Sequence, residues 1–287
     1  MIIVTGATGK LGSRIVDHLL ARVPATRIGV SVRDPAKAAG LAARGVAVRI
    51  GDYDDPAGLT RSFEGATQVL IVSASTSGEP ALRQHRAAIE AARRVGVRRI
   101  LYTSHMGASP DSAFGPMPDH AATERMLEAC GVDFVSLRNG FYAASAVLLL
   151  GHAFETGEVV APEDGPVSWT THADLAEAAA IALVDEHWFA GLTPPLTASR
   201  AHDLGELAAI ASELGGRAIR RVTIDDDAYR ERLVRFGVPL AQAEMLVGLF
   251  RASRRGEFAA VDPGLERVLG RPPQSMHDVL ARALEQT

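Results

Sequence analysis

One cysteine, Cys130, in 287 residues leaves no partner for an intramolecular disulfide and none for a multi-cysteine zinc site. It stands in MLEACGVDF, where a helix is expected to end at Gly131, and it reads as a small buried apolar residue. Aromatic residues make up only 5 % of the chain, too few for a base-stacking surface. Neither sign of charge dominates: 30 Lys+Arg against 34 Asp+Glu leave −4, which argues against a nucleic-acid binder and against a basic membrane-surface protein. Long apolar runs are missing too. The longest, around Ala143 to Leu150, is too short to cross a bilayer. The first residues, MIIVTGATG, read as a buried strand and not as a charged stretch followed by an apolar one, so no secretory signal and a cytoplasmic protein are expected. Internal repeats and low-complexity segments are absent.

What is present is a globular composition, 47 % apolar and 22 % charged, in a chain long enough for a sizeable core and for one large or two modest domains. Short β-branched runs recur at Ile2–Thr5, Ile28–Val32, Val46–Ile50, Val69–Ser73, Ile100–Thr103 and Phe134–Leu137. Segments of helical period separate them, at Lys10–Arg22, Pro35–Arg44, Pro56–Phe63, Pro80–Val95 and Asp119–Ala129. Strands without polar alternation are buried on both faces, the habit of a parallel sheet. Strand–helix alternation with short connections gives right-handed βαβ units, so the fold class is α/β, a Rossmann-type doubly wound parallel sheet. Its ligand is expected beyond the carboxyl ends of the strands.

After Asn139 the pattern becomes mostly helical: Phe141–Phe154, His172–Val184, Asp203–Leu214, Asp226–Phe236, Leu240–Ser253 and Ser275–Gln286. Short strand candidates remain near Val159, at Leu192–Ala198 and at Ile219–Ile224. The division expected is a dinucleotide-binding domain over 1–139 and a smaller helical cap over 140–287, packed directly on it. The oligomeric state stays open, a homodimer included.

The strongest local signal is Thr5-Gly6-Ala7-Thr8-Gly9-Lys10-Leu11-Gly12, between the first strand and the first helix. The first glycine permits a tight turn. The second lets main chain approach a pyrophosphate, and the third lets the helix pack closely. The helix N-terminus then offers free N–H groups to the anion. A ribose-contacting residue is expected about 20 positions past the glycines. Arg33 stands there, and a guanidinium binds a 2′-phosphate where a carboxylate would repel it. Arg33 therefore favours NADP, while a shift of one residue would put Asp34 in its place and favour NAD. Asp52-Tyr53 follows the third strand, where the adenine rests, and Asp54-Asp55 looks like a helix cap.

The chemistry is expected at the ends of strands four to six. Ser73-Ala74-Ser75 offers small residues along which a cofactor can pass. A short-chain dehydrogenase uses a Tyr-x-x-x-Lys pair in which lysine lowers the tyrosine pKa. The four tyrosines here, 53, 102, 142 and 229, are followed four residues on by Ala57, Met106, Ala146 and Leu233. The helix after strand five carries instead His120 and Glu124. A metal reading of these two needs a third ligand, with His105 the candidate. The reading preferred is no metal, with His120 and Glu124 structural or lining the cofactor groove.

TGATGKLG, VRDPAKA, GDYDD and LRNGFY together resemble the NmrA-like atypical short-chain dehydrogenase/reductases, and most closely the NADPH-dependent type 2 quinone oxidoreductases and triphenylmethane reductase. The resemblance runs through SWTTHADLAEAAA to the late LGRPP segment. It implies that Gly6 to Leu11 hold the pyrophosphate, Arg33 the 2′-phosphate, and Ser73 to Ser75 the ribose and diphosphate. It implies further that Leu137, Arg138, Asn139, Gly140, Phe141 and Tyr142 flank the nicotinamide and substrate, with Ser168 to His172 closing the far side. His172 departs from an arginine in close relatives.

Without a lysine-activated tyrosine, reduction is expected of acceptors that need no strong acid. A quinone is one, because its reduced anion is stabilised by aromatisation. Asn139 and Tyr142 are the candidates for catalysis, and Phe141, Tyr142 and His105 for substrate contact. The expected activity is direct hydride transfer from NADPH to a quinone or dye-like small molecule, without metal or flavin. The alternatives are a non-enzymatic NADP-sensing regulator and a biosynthetic imine or enone reductase.

Overall fold

The computed structural model describes residues 1–285. Its first part alternates β1 (Ile2–Thr5), α1 (Lys10–Leu20), β2 (Ile28–Val32), α2 (Ala39–Ala43), β3 (Ala47–Ile50), α3 (Pro56–Phe63), β4 (Gln68–Ile71), α4 (Glu79–Arg94), β5 (Arg99–His105), α5 (Pro116–Ala129) and β6 (Asp133–Asn139). There follow β7 (Phe141–Tyr142), α6 (Ala143–Leu150), α7 (Ala153–Thr156), β8 (Glu158–Ala161), β9 (Trp169–Thr170), α8 (His172–Val184) and β10 (Gly191–Leu192). The chain ends with α9 (Leu204–Gly215), β11 (Arg220–Thr223), α10 (Asp226–Arg235), α11 (Leu240–Arg254), α12 (Gly264–Leu269) and α13 (Met276–Leu284).

Seven strands form one parallel sheet in the order β10-β6-β5-β4-β1-β2-β3. The doubly wound expectation holds, and β1 and β4 are neighbours at the point where strand order reverses. Ile3, Val4, Val30, Val69, Leu70, Ile100 and Leu101 are fully buried, as strands covered on both faces require. A crevice between the ends of β1 and β4 follows from this order alone.

The second half interleaves with the first. Helix α8 lies against α1, α12 lies against α8, and β10 extends the main sheet beside β6. Beyond Leu192 the strand stops before Pro194-Pro195, which lack the N–H a ladder needs, and only Leu196 bridges back to Asn139. The remaining elements gather around a separate apolar cluster that includes Phe114, Phe141, Trp169, Phe250 and Phe258. Two small parallel pairs, β7 with β9 and β8 with β11, stitch this part together.

Three expectations change. Phe141–Phe154 is not one helix: Phe141–Tyr142 pairs as a strand, and Gly151 at φ +53° ends α6 before α7 begins. Pro35–Arg44 is a 3-10 turn, Pro35–Ala38, followed by the short α2. Helix α12, packed on α8, was not expected from the sequence. Of the last expected helix, Gln286 lies outside the described residues.

Candidate active site

At the carboxyl ends of β1 to β4 lies a groove of about 320 Å³, lined by Gly6, Thr8, Gly9, Val32, Arg33, Asp52, Tyr53, Ser73, Ala74 and Ser75 among others. Gly6 turns the chain at φ +60°, and a Cβ on it would stand 3.0 Å from Val72 Cβ. Gly9 caps α1 with extended backbone and no side-chain hydrogen bond, so the first helical N–H groups face the groove unspent. A Cβ on Gly12 would lie 2.2 Å from the Gly6 carbonyl oxygen. The third glycine thus lets the helix pack against the turn itself. Ala7 and Leu11 are buried in the sheet core, and exposed Lys10 is outside the groove lining.

The end of β2 separates the two candidates for the ribose. Arg33 is exposed on the groove and makes no ion pair among the described residues. Asp34 turns away: its carboxylate accepts the Ala36 N–H at 3.0 Å and caps the following turn. Asp55 is similarly spent on capping α3, accepting from the Gly58 N–H. Tyr53 is anchored to the ends of β1 and β4 through its hydroxyl. Its hydroxyl donates to the Val72 carbonyl at 2.7 Å and stands 2.6 Å from Thr5 Oγ1. Burial pushes its pKa up.

The loop after β4 is pinned from behind. The Ser73 N–H donates to Thr103 Oγ1 at 2.9 Å, and the Ala74 N–H donates to His85 Nε2 at 2.9 Å. His85 Nδ1 then lies 2.8 Å from Thr123 Oγ1, whose own hydroxyl donates to the Asp119 carbonyl. These partners fix His85 as a neutral ring protonated on Nδ1, and burial lowers its pKa to about 3. Sequence reading passed over His85. Its signal was a polar residue among alanines on the buried face of an amphipathic helix.

At β5 and β6 the setting differs. Glu124 is buried and accepts from Ser104 Oγ at 2.8 Å, Ser136 Oγ at 2.9 Å, and Arg138 Nε and Nη2 at 3.0 and 2.7 Å. It ties α5 to both strands, which gives it a structural role. The same contacts turn the Arg138 guanidinium toward α5, and Arg138 is not among the groove-lining residues. The side chain of Leu137 is fully buried in the core. Gly140 admits Thr170, whose Oγ1 would be 2.2 Å from any Cβ there. Phe141 meets Phe114, Trp169 and Phe258 at ring-centre distances of 5.1 to 5.7 Å. Tyr142 stacks on His172 at 4.1 Å. Burial, with Lys10 and Arg14 nearby, lowers the His172 pKa to about 4. Ser168, expected at the far side, donates its hydroxyl to the Ala260 carbonyl at 2.6 Å.

Tyr102 OH stands 2.8 Å from His120 Nδ1, and His120 stacks against His105 with 6.2 Å between ring centres. Burial raises Tyr102 well above the ordinary phenol range and lowers His120 to about 4. His105 is also held well below the ordinary imidazole value, by burial and by His120. The structure therefore brings together Gly6, Thr8, Gly9, Arg33 and Ser73 to Ser75 in one groove, and His105, Asn139, Phe141 and Tyr142 at the neighbouring strand ends.

An all-parallel sheet with a glycine turn on its first strand, an uncapped helix behind it and a free guanidinium on its second strand defines a dinucleotide-binding protein. Residues 6–186 match the family model described as NAD(P)H-binding. Quinone oxidoreductase 2 of Escherichia coli is 35 % identical over 277 residues, 96 % of each chain. A solved NADPH-dependent quinone oxidoreductase from that organism, complexed with NADPH, superposes with TM-score 0.93 at 33 % identity over 99 % of this chain and 100 % of that one. The NmrA-like family domain-containing oxidoreductase flvB of Aspergillus flavus is 30 % identical over 98 % of this chain and 94 % of its own. The Citrobacter sp. triphenylmethane reductase complexed with NADP(H) superposes with TM-score 0.92 at 32 % identity over 99 % of this chain and 100 % of its own. The chain belongs to the NAD(P)H-binding family and, within it, to the NmrA-like atypical short-chain dehydrogenase/reductases; it is an NAD(P)H-dependent oxidoreductase.

Proposed function

We propose that the protein reduces a quinone or a dye-like small molecule with NADPH, by direct hydride transfer. The observation that carries the reading is the absence of an activated acid at the β5 and β6 ends: the one phenol on β5, Tyr102, is fully buried, bonded to His120 and far from being ionised. Ketone reduction makes an alkoxide and needs such an acid, whereas a quinone or a cationic dye takes hydride without one. The groove fits the nucleotide. Gly6, Thr8 and Gly9 make a cradle that side chains would fill, α1 supplies unspent N–H groups, and Arg33 meets a 2′-phosphate. Bound there, the dihydronicotinamide supplies the hydride. The chain's own part is to hold Ser73 to Ser75 in place through Thr103 and His85, and to present an aromatic wall to a flat acceptor.

The quinone or dye relatives and the free Arg33 support this choice of acceptor and cofactor. The test is NADPH oxidation followed with a benzoquinone, a cationic triarylmethane dye and an aliphatic ketone. Turnover of either of the first two, and none of the ketone, is expected. Efficient turnover of the ketone overturns the mechanism, and no turnover of any acceptor favours a cofactor-sensing role.

A further inference from the structure

Four buried side-chain polar atoms have no hydrogen-bond partner among the described residues, and two of them belong to residues opposite each other in the main sheet. They are His105 Nε2 and Asn139 Oδ1, on the last residues of β5 and β6, which face each other in the parallel register. Buried polar atoms are otherwise almost always paired, so orphans on the last residues of two adjacent strands, at the ligand edge of such a sheet, ask for a ligand.

The hydrogen on His105 can be assigned from its partners. The Gly107 N–H donates to His105 Nδ1 at 3.0 Å, so Nδ1 is an acceptor and carries no proton. A neutral ring then carries its hydrogen on Nε2. The ring is neutral because it is nine-tenths buried, and the ionisable side chain stacked on it, His120, is itself a half-buried imidazole whose pKa is lowered to about 4. Nε2 is therefore a donor with nothing to donate to. Around the imidazole stand the rings of Phe141 and Phe258, with 5.1 and 5.5 Å between ring centres, neither offering an oxygen. A lone donor among apolar rings is worth far more to an incoming oxygen than the same donor in water.

Resting on the quinone-reductase reading above, we infer that His105 Nε2–H is the hydrogen-bond donor for the acceptor's carbonyl oxygen. Hydride adds two electrons and one hydrogen to a quinone and leaves a hydroquinone monoanion. The negative oxygen keeps its hydrogen bond from Nε2–H until it takes a proton from water, while His105 stays neutral throughout. The donor gains strength as charge develops on the oxygen, so it favours the transition state over the bound quinone. A cationic triarylmethane dye takes hydride on carbon and forms no oxyanion. His105 thereby sets a preference for oxygen acceptors over carbocation acceptors.

The experiment compares the holoenzyme with His105→Phe and His105→Gln, measuring kcat/KM for a benzoquinone and for a cationic triarylmethane dye. In His105→Phe the quinone-to-dye ratio should fall roughly 10- to 100-fold. Gln, whose amide nitrogen reaches the place of Nε2, should recover part of it. An independent readout is the Nε2–H proton resonance of His105 in the NADP⁺-loaded parent, which should move downfield when p-nitrophenolate is added as an unreduced oxyanion. A ratio unchanged in His105→Phe, or a resonance that p-nitrophenolate leaves in place, overturns the inference even where His105→Phe folds poorly. A parent protein that reduces neither acceptor overturns the quinone-reductase reading, and this inference with it.

Discussion

At the ends of β1 to β4 the walls of the site are glycine, serine, exposed Arg33 and unspent main-chain N–H groups; at the ends of β5 and β6 they are rings. The first region is open and polar. The second is closed, with His105, Asn139 and Phe141 each less than a tenth exposed. On the proposed function, the difference follows from what each would hold. A diphosphate is bound by backbone geometry and charge at a solvent edge, where a rigid turn suffices. A flat acceptor would be held by apolar contact in a dry space, where each polar group has to be matched or neutral. The histidines show the consequence: desolvation lowers the pKa of His105 and His120 at the β5 end, and of His85 behind the β4 loop as well.

Acid should break this contrast most strongly. The folded-state pKa is about 3 for His85, about 4 for His120 and well below the ordinary value for His105, while in the unfolded chain each titrates near 6.5. Because the folded values are depressed, the unfolded state binds more protons once the pH drops below ~6.5. Stability is then full above that pH and declines as the pH falls toward the folded values. Each ring costs about 1.5 kcal/mol between about pH 6.5 and about pH 5, on the order of 4–5 kcal/mol for the three. Thermal melts across that range check it. A midpoint flat from about pH 7 to about pH 5 would mean that these rings are charged or exposed in the folded protein.

Gly12→Val should damage the other region almost as much. The added Cβ meets the Gly6 carbonyl oxygen at 2.2 Å, and the atom it meets is main chain, with no flexible side chain to yield. A loss of about 3 kcal/mol or more is expected, along with cofactor binding by the distorted turn. Fluorescence titration with NADPH and the thermal midpoint report the two effects separately. Arg33→Ser touches the same groove without touching its frame. It should cost roughly 10- to 100-fold in NADPH affinity and leave NADH and the thermal midpoint nearly unchanged. Equal affinities for the two cofactors in the parent would remove the role assigned to Arg33.

The two regions were also unequally legible in sequence. The glycine turn lies within eight consecutive residues, each with a steric reason to be where it is, and the six strands from β1 to β6 were visible as unalternating β-branched runs. The aromatic wall draws Phe114, Phe141, Trp169 and Phe258 from four separate stretches, and nothing local to any of them says that they meet. Helix α8 was seen but not its partner. Leu175, Ala176, Ala178, Ala179, Ala180, Ala182 and Leu183 are all buried, and a helix apolar on every side gives no direction. The two-residue β7 is too short for any period, and His85 carries no motif.

Tyr142 stands where the two regions join, and it gives the smallest and most discriminating effects. Its ring stacks on His172 at 4.1 Å and packs against the sheet core, while burial pushes its pKa up and the Asn139 side chain partly offsets that push. Tyr142→Phe keeps the stack and removes the hydroxyl, so a loss of ~1 kcal/mol in stability is expected, with NADPH binding unchanged. Tyr142→Ala removes the ring. As part of the acceptor wall, the ring is used equally in ground and transition states, and its loss should raise the acceptor KM with kcat little altered. As a core residue only, it would lower the thermal midpoint and leave the KM of the folded fraction where it was. Quinone-reductase kinetics of both variants beside their melting curves decide between these. A raised KM in Tyr142→Ala with a normal KM in Tyr142→Phe assigns the ring face to the acceptor and the hydroxyl to Asn139. A normal KM in both moves the boundary between cofactor edge and acceptor pocket back to Asn139 and His105.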